Sequence, residues 1–188
     1  MSLHDLRTAA TGNPTMDVLL TAEQIRIRVG EIAADVRREY DGKPFTVVGI
    51  LTGSLIFLAD LVREIGLPLQ VGLIAASSYR GSTTTAGTLV VQDGLLPDVH
   101  GRHLLLLDDI LDTGNTISTL VGHLKGRGAT SVRTCVLLRK IGRQTVPFEP
   151  DHTGFAIPDK FVIGYGLDFN DEYRHLPFIG ILPDDAAL

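Results

Sequence analysis

The sequence predicts an α/β protein, a central parallel sheet flanked by helices, on three observations. Four runs of strand length, FTVVGIL (45–51), LQVGLIAAS (69–77), HLLLLD (103–108) and SVRTCVLLR (131–139), are apolar almost throughout rather than alternating. That pattern marks strands covered on both faces. Stretches of helical period lie between strands, the order that builds parallel sheets. A length of 188 residues with 44% hydrophobic content is enough to bury one core, so a single domain is expected over 1–188.

Taken in order, residues 1–16 read as a loose arm. TAEQIRIRVGEIAADVRREY reads as a helix, with Thr21 and Gln24 as a capping-box pair and Ile25, Val29, Ile32, Ala33 and Val36 on one face. The strand at 45–51 turns at Thr52-Gly53-Ser54 into the helix LIFLADLVREI, which stops at Gly66. After the strand at 69–77, SYRGSTTTAG (78–87) has no apolar period and reads as a mobile loop. TLVVQD is a short strand. The strand at 103–108 leads to the helix TISTLVGHLKGRG, ended by Gly126 and Gly128. The strand at 131–139 follows, and KFVIGYGLD (160–168) is expected as the last one.

The net charge of −5 provides no global basic field for nucleic acid. No run approaches the roughly 18 apolar residues of a membrane span. The opening residues lack the apolar centre of a signal peptide. Cys135, within TCVLL, is the single cysteine and reads as a reduced core thiol. A cytoplasmic location with no membrane partner is expected. His100, His103, His123, His152 and His175 show no metal-ligand spacing.

Ligands in parallel sheets sit beyond the carboxyl ends of the strands, which points to LLLLDDILDTGNT, Leu104 to Thr116. Thr113-Gly114-Asn115-Thr116 joins a strand end to a helix start. Free backbone N–H groups, the positive end of the helix dipole and two hydroxyls there suit one phosphate. Asp108 and Asp109 stand just before it. Beside a bound phosphate their natural partners are sugar hydroxyls or Mg²⁺. Asp112 is left to act as a general base over the sugar. No G-x-x-x-x-G-K-[ST] occurs. An EF-hand loop counted from Asp109 would need Glu where Leu120 stands. Aspartate-nucleophile phosphatases space their two acids differently.

LLLLDDILDTGNT resembles the 5-phosphoribosyl-1-diphosphate (PRPP) motif of phosphoribosyltransferases. ILTGSLIFLADLVREI resembles the diphosphate loop and following helix of the hypoxanthine-guanine members. SSYRGSTTTAG resembles their catalytic loop, and GFAIPDKFVIGYGLDFNDEYRHLPFIGIL (154–182) their purine-binding hood. The resemblance runs from about Asp17 to Leu182. It implies the type I phosphoribosyltransferase fold, a core over 17–150, and a small purine-binding hood built from 151–188 with N-terminal residues.

The same resemblance implies exchange of diphosphate on C1 of PRPP for a ring nitrogen of hypoxanthine or guanine, in purine salvage. Asp108 and Asp109 would hold the ribose hydroxyls directly or through Mg²⁺. Asp112 would handle the proton at purine N7, and Asp112, Thr113, Gly114, Asn115 and Thr116 would hold the 5′-phosphate. Leu51, Thr52, Gly53 and Arg174 would meet the diphosphate. Lys160 would donate to purine O6, Phe161 would stack on the ring, and the Val162 backbone would face the two-position edge. Lys140 would lie near the base and the 5′-phosphate. Asp168 would act through a second Mg²⁺, making Asp108, Asp109 and Asp168 the metal-side acids. Ser78 and Tyr79 would belong to a lid. A homodimer or homotetramer is implied.

The chain departs from the family where Thr52 replaces a common Lys or Arg, and where Asp108 replaces a frequent Glu. A cis non-proline peptide at Leu51-Thr52 is part of the expectation. Two alternatives stay open. One is an RNA-binding pyrimidine attenuator of the same fold, which would need a basic face. The other is xanthine phosphoribosyl transfer.

Overall fold

The computed structural model describes residues 16–78 and 89–182. Its large sheet has the order β4-β3-β2-β5-β6-β7. The strands are β2 (Phe45–Leu51), β3 (Gln70–Ser78), β4 (Leu89–Gln92), β5 (His103–Leu111), β6 (Ser131–Lys140) and β7 (His152–Ile157). All pairings are parallel except β3 with β4. A small antiparallel sheet, β1-β9-β8, is made from β1 (Asp17–Leu20), β8 (Val162–Ile163) and β9 (Ile179–Ile181).

The leucine run explains the layering. Successive strand residues face opposite ways. Leu105 and Leu107 pack with α1 (Ala22–Tyr40) and α2 (Leu55–Ile65). Leu104 and Leu106 pack with Ile117, Leu120 and Leu124 of α3 (Asn115–Gly126) on the other face. All four leucines are fully buried, and each such side chain contributes about 1.5–3 kcal/mol relative to exposure. The α1 cap forms as expected: the Thr21 N–H donates to Gln24 Oε1 at 2.9 Å and the Gln24 N–H to Thr21 Oγ1 at 3.2 Å. Tyr40, at the end of α1, stacks on Phe45 with ring centroids 4.6 Å apart. Cys135 is buried, and desolvation pushes its thiol far above the ordinary range.

Two expectations change. KFVIGYGLD is not one strand: only Val162–Ile163 pairs as a strand. Gly164, Tyr165 and Gly166 have φ of +95°, +50° and +102°, and left-handed backbone cannot continue a strand. HTGFAI is a strand of the large sheet, so the hood begins after Ile157 rather than at 151. Its six residues lie parallel to β6 because the 141–151 connection is long enough to cross back over the sheet. Asp17–Leu20, left unassigned by the sequence, pairs with β9 and ties the N-terminal side of the chain into the hood. Tyr79 and most of the expected loop lie outside the described residues, as does the arm before Met16.

Candidate active site

The parallel register brings the carboxyl ends of β2, β5 and β6 to one edge of the sheet, and the sequence-selected residues gather there. Leu51, Asp108, Asp112, Thr113, Gly114 and Thr116 line one cavity of about 230 Å³, closed by Ile50, Ala76, Ile110, Leu111 and Ile117. A larger cavity of about 410 Å³ lies between α1, α2 and the hood. Arg174 is in its wall, but it contains neither the acid pair nor the helix start.

The floor of the smaller cavity is the start of α3. Gly114 sits at its N-cap with φ +88°, a conformation glycine adopts without steric cost. A Cβ there would also crowd the Val146 carbonyl at 3.3 Å. The loop is held from outside: the Thr145 and Val146 N–H groups donate to the Thr113 carbonyl at 3.0 and 3.2 Å. The first N–H groups of α3 have no partner within the helix; that of Asn115 makes only a long contact to Thr113 Oγ1 at 3.4 Å, and Thr116 and Ile117 line the cavity. Asn115 is exposed and turns away, its amide reaching Thr113 Oγ1 at 3.3 Å and Thr145 Oγ1 at 3.5 Å.

Asp108 and Asp109 lie near the carboxyl end of β5, which runs on to Leu111. Asp108 Oδ1 accepts from the Asp109 N–H at 3.1 Å, and Asp109 Oδ1 from the Ile110 N–H at 2.9 Å. Desolvation holds both carboxyls above their usual range. For Asp108 the neighbouring Asp109 charge adds to the rise, whereas for Asp109 hydrogen bonds and the Arg174 charge partly offset it. Two acids in this condition favour a partner that supplies hydroxyl donors or positive charge. Among the described residues no three His, Cys, Asp or Glu side chains converge to hold a metal. Two carboxylates completed by water and substrate oxygens are the donor set Mg²⁺ prefers, so the residues fit that ion.

Asp109 also abuts the turn after β2. A Cβ on Gly53 would lie 1.7 Å from Asp109 Oδ2 and 2.5 Å from Cγ, so any larger residue there would have to displace that carboxylate or the turn. The Leu51-Thr52 peptide is cis. The Ser54 hydroxyl donates to the Ile50 carbonyl at 2.6 Å and the Leu55 N–H to the Thr52 carbonyl at 3.2 Å. Among the described residues the N–H groups of Thr52, Gly53 and Ser54 have no such acceptor. Gly166 of the hood packs directly on the Gly53 carbonyl. Arg174 braces this contact, donating to the Gly166 carbonyl at 2.8 Å and pairing with Asp168 and Asp171 at 2.9 Å each.

The remaining hood residues stand apart from the cavity. Lys160 is exposed. Phe161 is 43% exposed and meets Phe169 edge-on, centroids 5.7 Å apart. Val162 is buried in β8, opposite Ile181. Lys140, only 13% exposed, places Nζ 3.2 Å from Asp159 Oδ1. Asp168 accepts from the Asp171 N–H at 2.9 Å besides pairing with Arg174. The sequence reading missed Arg143, whose Nε lies 2.9 Å from Asp112 Oδ1. It missed Asp159 as a charge partner too. The available signal was position: Arg143 follows closely on the carboxyl end of β6, where ligands of parallel sheets gather.

A family model described as "Phosphoribosyl transferase domain" matches residues 16–170. The chain is 38% identical over 174 residues to the hypoxanthine-guanine phosphoribosyltransferase of Streptococcus pneumoniae, covering 93% of this chain and 97% of that protein. It is 39% identical over 171 residues to the enzyme of the same name from Mycobacterium tuberculosis, covering 88% and 85%. Among solved structures, a hypoxanthine phosphoribosyltransferase from Staphylococcus aureus superposes with a TM-score of 0.83 at 36% identity, covering 90% of this chain and 93% of that one. A point variant of the Trypanosoma cruzi hypoxanthine phosphoribosyltransferase, in a ternary substrates complex, gives a TM-score of 0.85 at 34% identity, covering 93% and 98%. No helix among the described residues is long and apolar enough to cross a membrane. Motif, fold and relatives agree, and the chain belongs to the phosphoribosyltransferase family, in its hypoxanthine-guanine branch.

Proposed function

We propose that this chain transfers the 5-phosphoribosyl group of PRPP to a ring nitrogen of hypoxanthine or guanine, releasing diphosphate and forming IMP or GMP. The observation that carries the reading is the cavity that joins an acid, Asp108, to the start of α3 through Asp112. The ester end of a ribose phosphate is held by the N–H groups and hydroxyls of Thr113 to Thr116. Its ring hydroxyls donate to Asp108 and Asp109. The diphosphate meets the N–H groups of Thr52, Gly53 and Ser54, which need no side-chain cation in place of Thr52, and Arg174 adds charge from the hood side. Asp108 and Asp109 would hold one Mg²⁺ and Asp168 would act through a second, and the ions would supply charge neutralisation for the leaving diphosphate.

Bond breaking at C1 develops positive charge on the sugar, and fixed carboxylates nearby favour that charge distribution. Asp112 accepts the proton from purine N7 as the new bond forms. Lys160 donates to O6, a contact adenine cannot return, and the exposed Phe161 stacks on the ring. The Val162 backbone faces the two-position edge, and Lys140 lies between base and phosphate. PRPP is too highly charged to cross a bilayer, which argues for this chemistry in the cytoplasm. The family resemblance implies a dimer or tetramer.

Incubating the protein with PRPP and Mg²⁺ and offering hypoxanthine, guanine, xanthine, adenine and orotate in turn tests the reading. IMP and GMP are the expected products. Nucleotide formed only from xanthine, or from none of the bases, would sink it.

A further inference from the structure

Arg143 is used neither by the PRPP motif nor by the hood signature, yet it touches the proposed base. It lies in the connection between β6 and β7, Asp112 follows the end of β5, and Asp159 stands at the start of the hood, between β7 and β8. The four charges form an alternating row. Lys140 Nζ is 3.2 Å from Asp159 Oδ1, Arg143 Nε is 3.7 Å from that same oxygen, and Arg143 Nε is 2.9 Å from Asp112 Oδ1. The guanidinium also extends Nη2 to Asp112 Oδ2 at 3.5 Å. The Gln144 amide donates to the Lys140 carbonyl at 2.7 Å, holding the turn that carries Arg143.

The fork is lopsided. Oδ1 receives the short contact and Oδ2 the long one, so a second donor can take Oδ2 without displacing the arginine. A planar guanidinium fixes the plane of a carboxylate in a way an ammonium cannot. Without it, the Asp112 carboxylate is free to turn about its last bond, which has a broad, weakly restrained torsion. Asp112 and Arg143 are both half-exposed, so the pair contributes little to folding stability. Its value lies in orientation.

We propose that Arg143 is a positioning residue for the transfer reaction: it holds Asp112 by Oδ1 and presents Oδ2 to the purine N7 proton, while Asp159 steers Arg143 from the hood side. The inference rests on the role given to Asp112 above. When the base docks, Arg143 stays on Oδ1, so the carboxylate does not have to surrender one partner to gain another.

The test is steady-state kinetics on Arg143→Ala, Arg143→Lys, Asp112→Asn and the Arg143→Ala/Asp112→Asn double variant, with melting temperatures alongside. Arg143→Ala should lower kcat about tenfold, since misplacing a reacting group by a fraction of an ångström costs that order, and leave KM for PRPP within about twofold. Arg143→Lys, which keeps the charge but not the plane, should stay close to the alanine variant. In the Asp112→Asn background the arginine change should add almost nothing, because it acts through a group already removed. An unchanged kcat in Arg143→Ala beside an impaired Asp112→Asn overturns this inference alone. So does full recovery by lysine, or an arginine effect undiminished in the double variant. If Asp112→Asn itself turns over normally, the role of Asp112 falls first and this inference with it.

Discussion

Replacing Gly53 by alanine tests the link between the acid pair and the turn after β2, where the diphosphate is proposed to bind. The added Cβ would stand 1.7 Å from Asp109 Oδ2 and 2.5 Å from Cγ, whereas non-bonded heavy atoms settle at about 3.5 Å. The carboxylate or the turn must therefore shift by about 1.5–2 Å. Asp109 is tethered by the Ile110 N–H at 2.9 Å, and the turn is pinned on its far side by Gly166 against the Gly53 carbonyl. A displacement of that size at a substrate-holding group costs about a hundredfold in rate, while overpacking costs about 1–3 kcal/mol in stability. The assay is kcat/KM for PRPP together with the unfolding free energy of the ligand-free protein. Adding Asp109→Ala should recover stability, because the clash partner is gone, but not activity. Wild-type kcat/KM in Gly53→Ala would refute the claim that the carboxylate and the turn form one rigid surface.

Other outcomes follow from the same geometry. Asp112→Asn should lower turnover at least about a hundredfold, the scale of a general base, with PRPP affinity by titration changed far less; equal losses in both would make Asp112 a binding group only. Asp108→Asn should raise the melting temperature of the ligand-free protein at neutral pH while weakening PRPP binding. Burial and then the Asp109 charge hold Asp108 above its usual range, so its ionised form opposes folding, and stability falls as pH rises through its folded value; a lower melting temperature would contradict this. Asp151 behaves oppositely. Burial alone would raise it, but hydrogen bonds from the Thr134 N–H at 2.8 Å, from Arg133 and from the Thr134 hydroxyl bring it below the usual range. Its stabilisation is therefore present above the ordinary carboxylate value, about pH 4, and lost as pH falls through its lower folded value. Asp151→Ala should cost about 1–3 kcal/mol at neutral pH, with the gap to wild type closing in acid. A gap independent of pH in chemical denaturation would show that the charge plays no part.

The two kinds of residue differ in how local their signal is. Asp108 to Thr116 is one unbroken segment, and a strand entering a helix through Thr-Gly-Asn-Thr builds its proposed phosphate nest from neighbouring atoms alone. The helix cap at Thr21 and Gln24 is equally local. The hood was harder, because YGLDFNDEYR carries positive φ at Tyr165, Asn170, Asp171 and Tyr173. Only Asn and Asp favour that region by chemistry, so the two tyrosines gave no warning. HTGFAI was passed over because six residues after a long polar connection have no helix before them to announce a parallel strand.

By itself, the sequence determined the layered α/β core, the position of the acid pair and nest at the end of the third core strand, and the family. These depend on periodicity and on contacts a few residues apart. The tertiary structure alone decided that Gly53 lies under Asp109, that Gly166 closes on the Gly53 carbonyl, and that Arg143 grips Asp112 across 31 positions of chain. Such contacts are set by strand register and by the path of connections. Neither leaves a mark in the local order of residue types, because an arginine in a loop reads the same whether it faces water or a carboxylate.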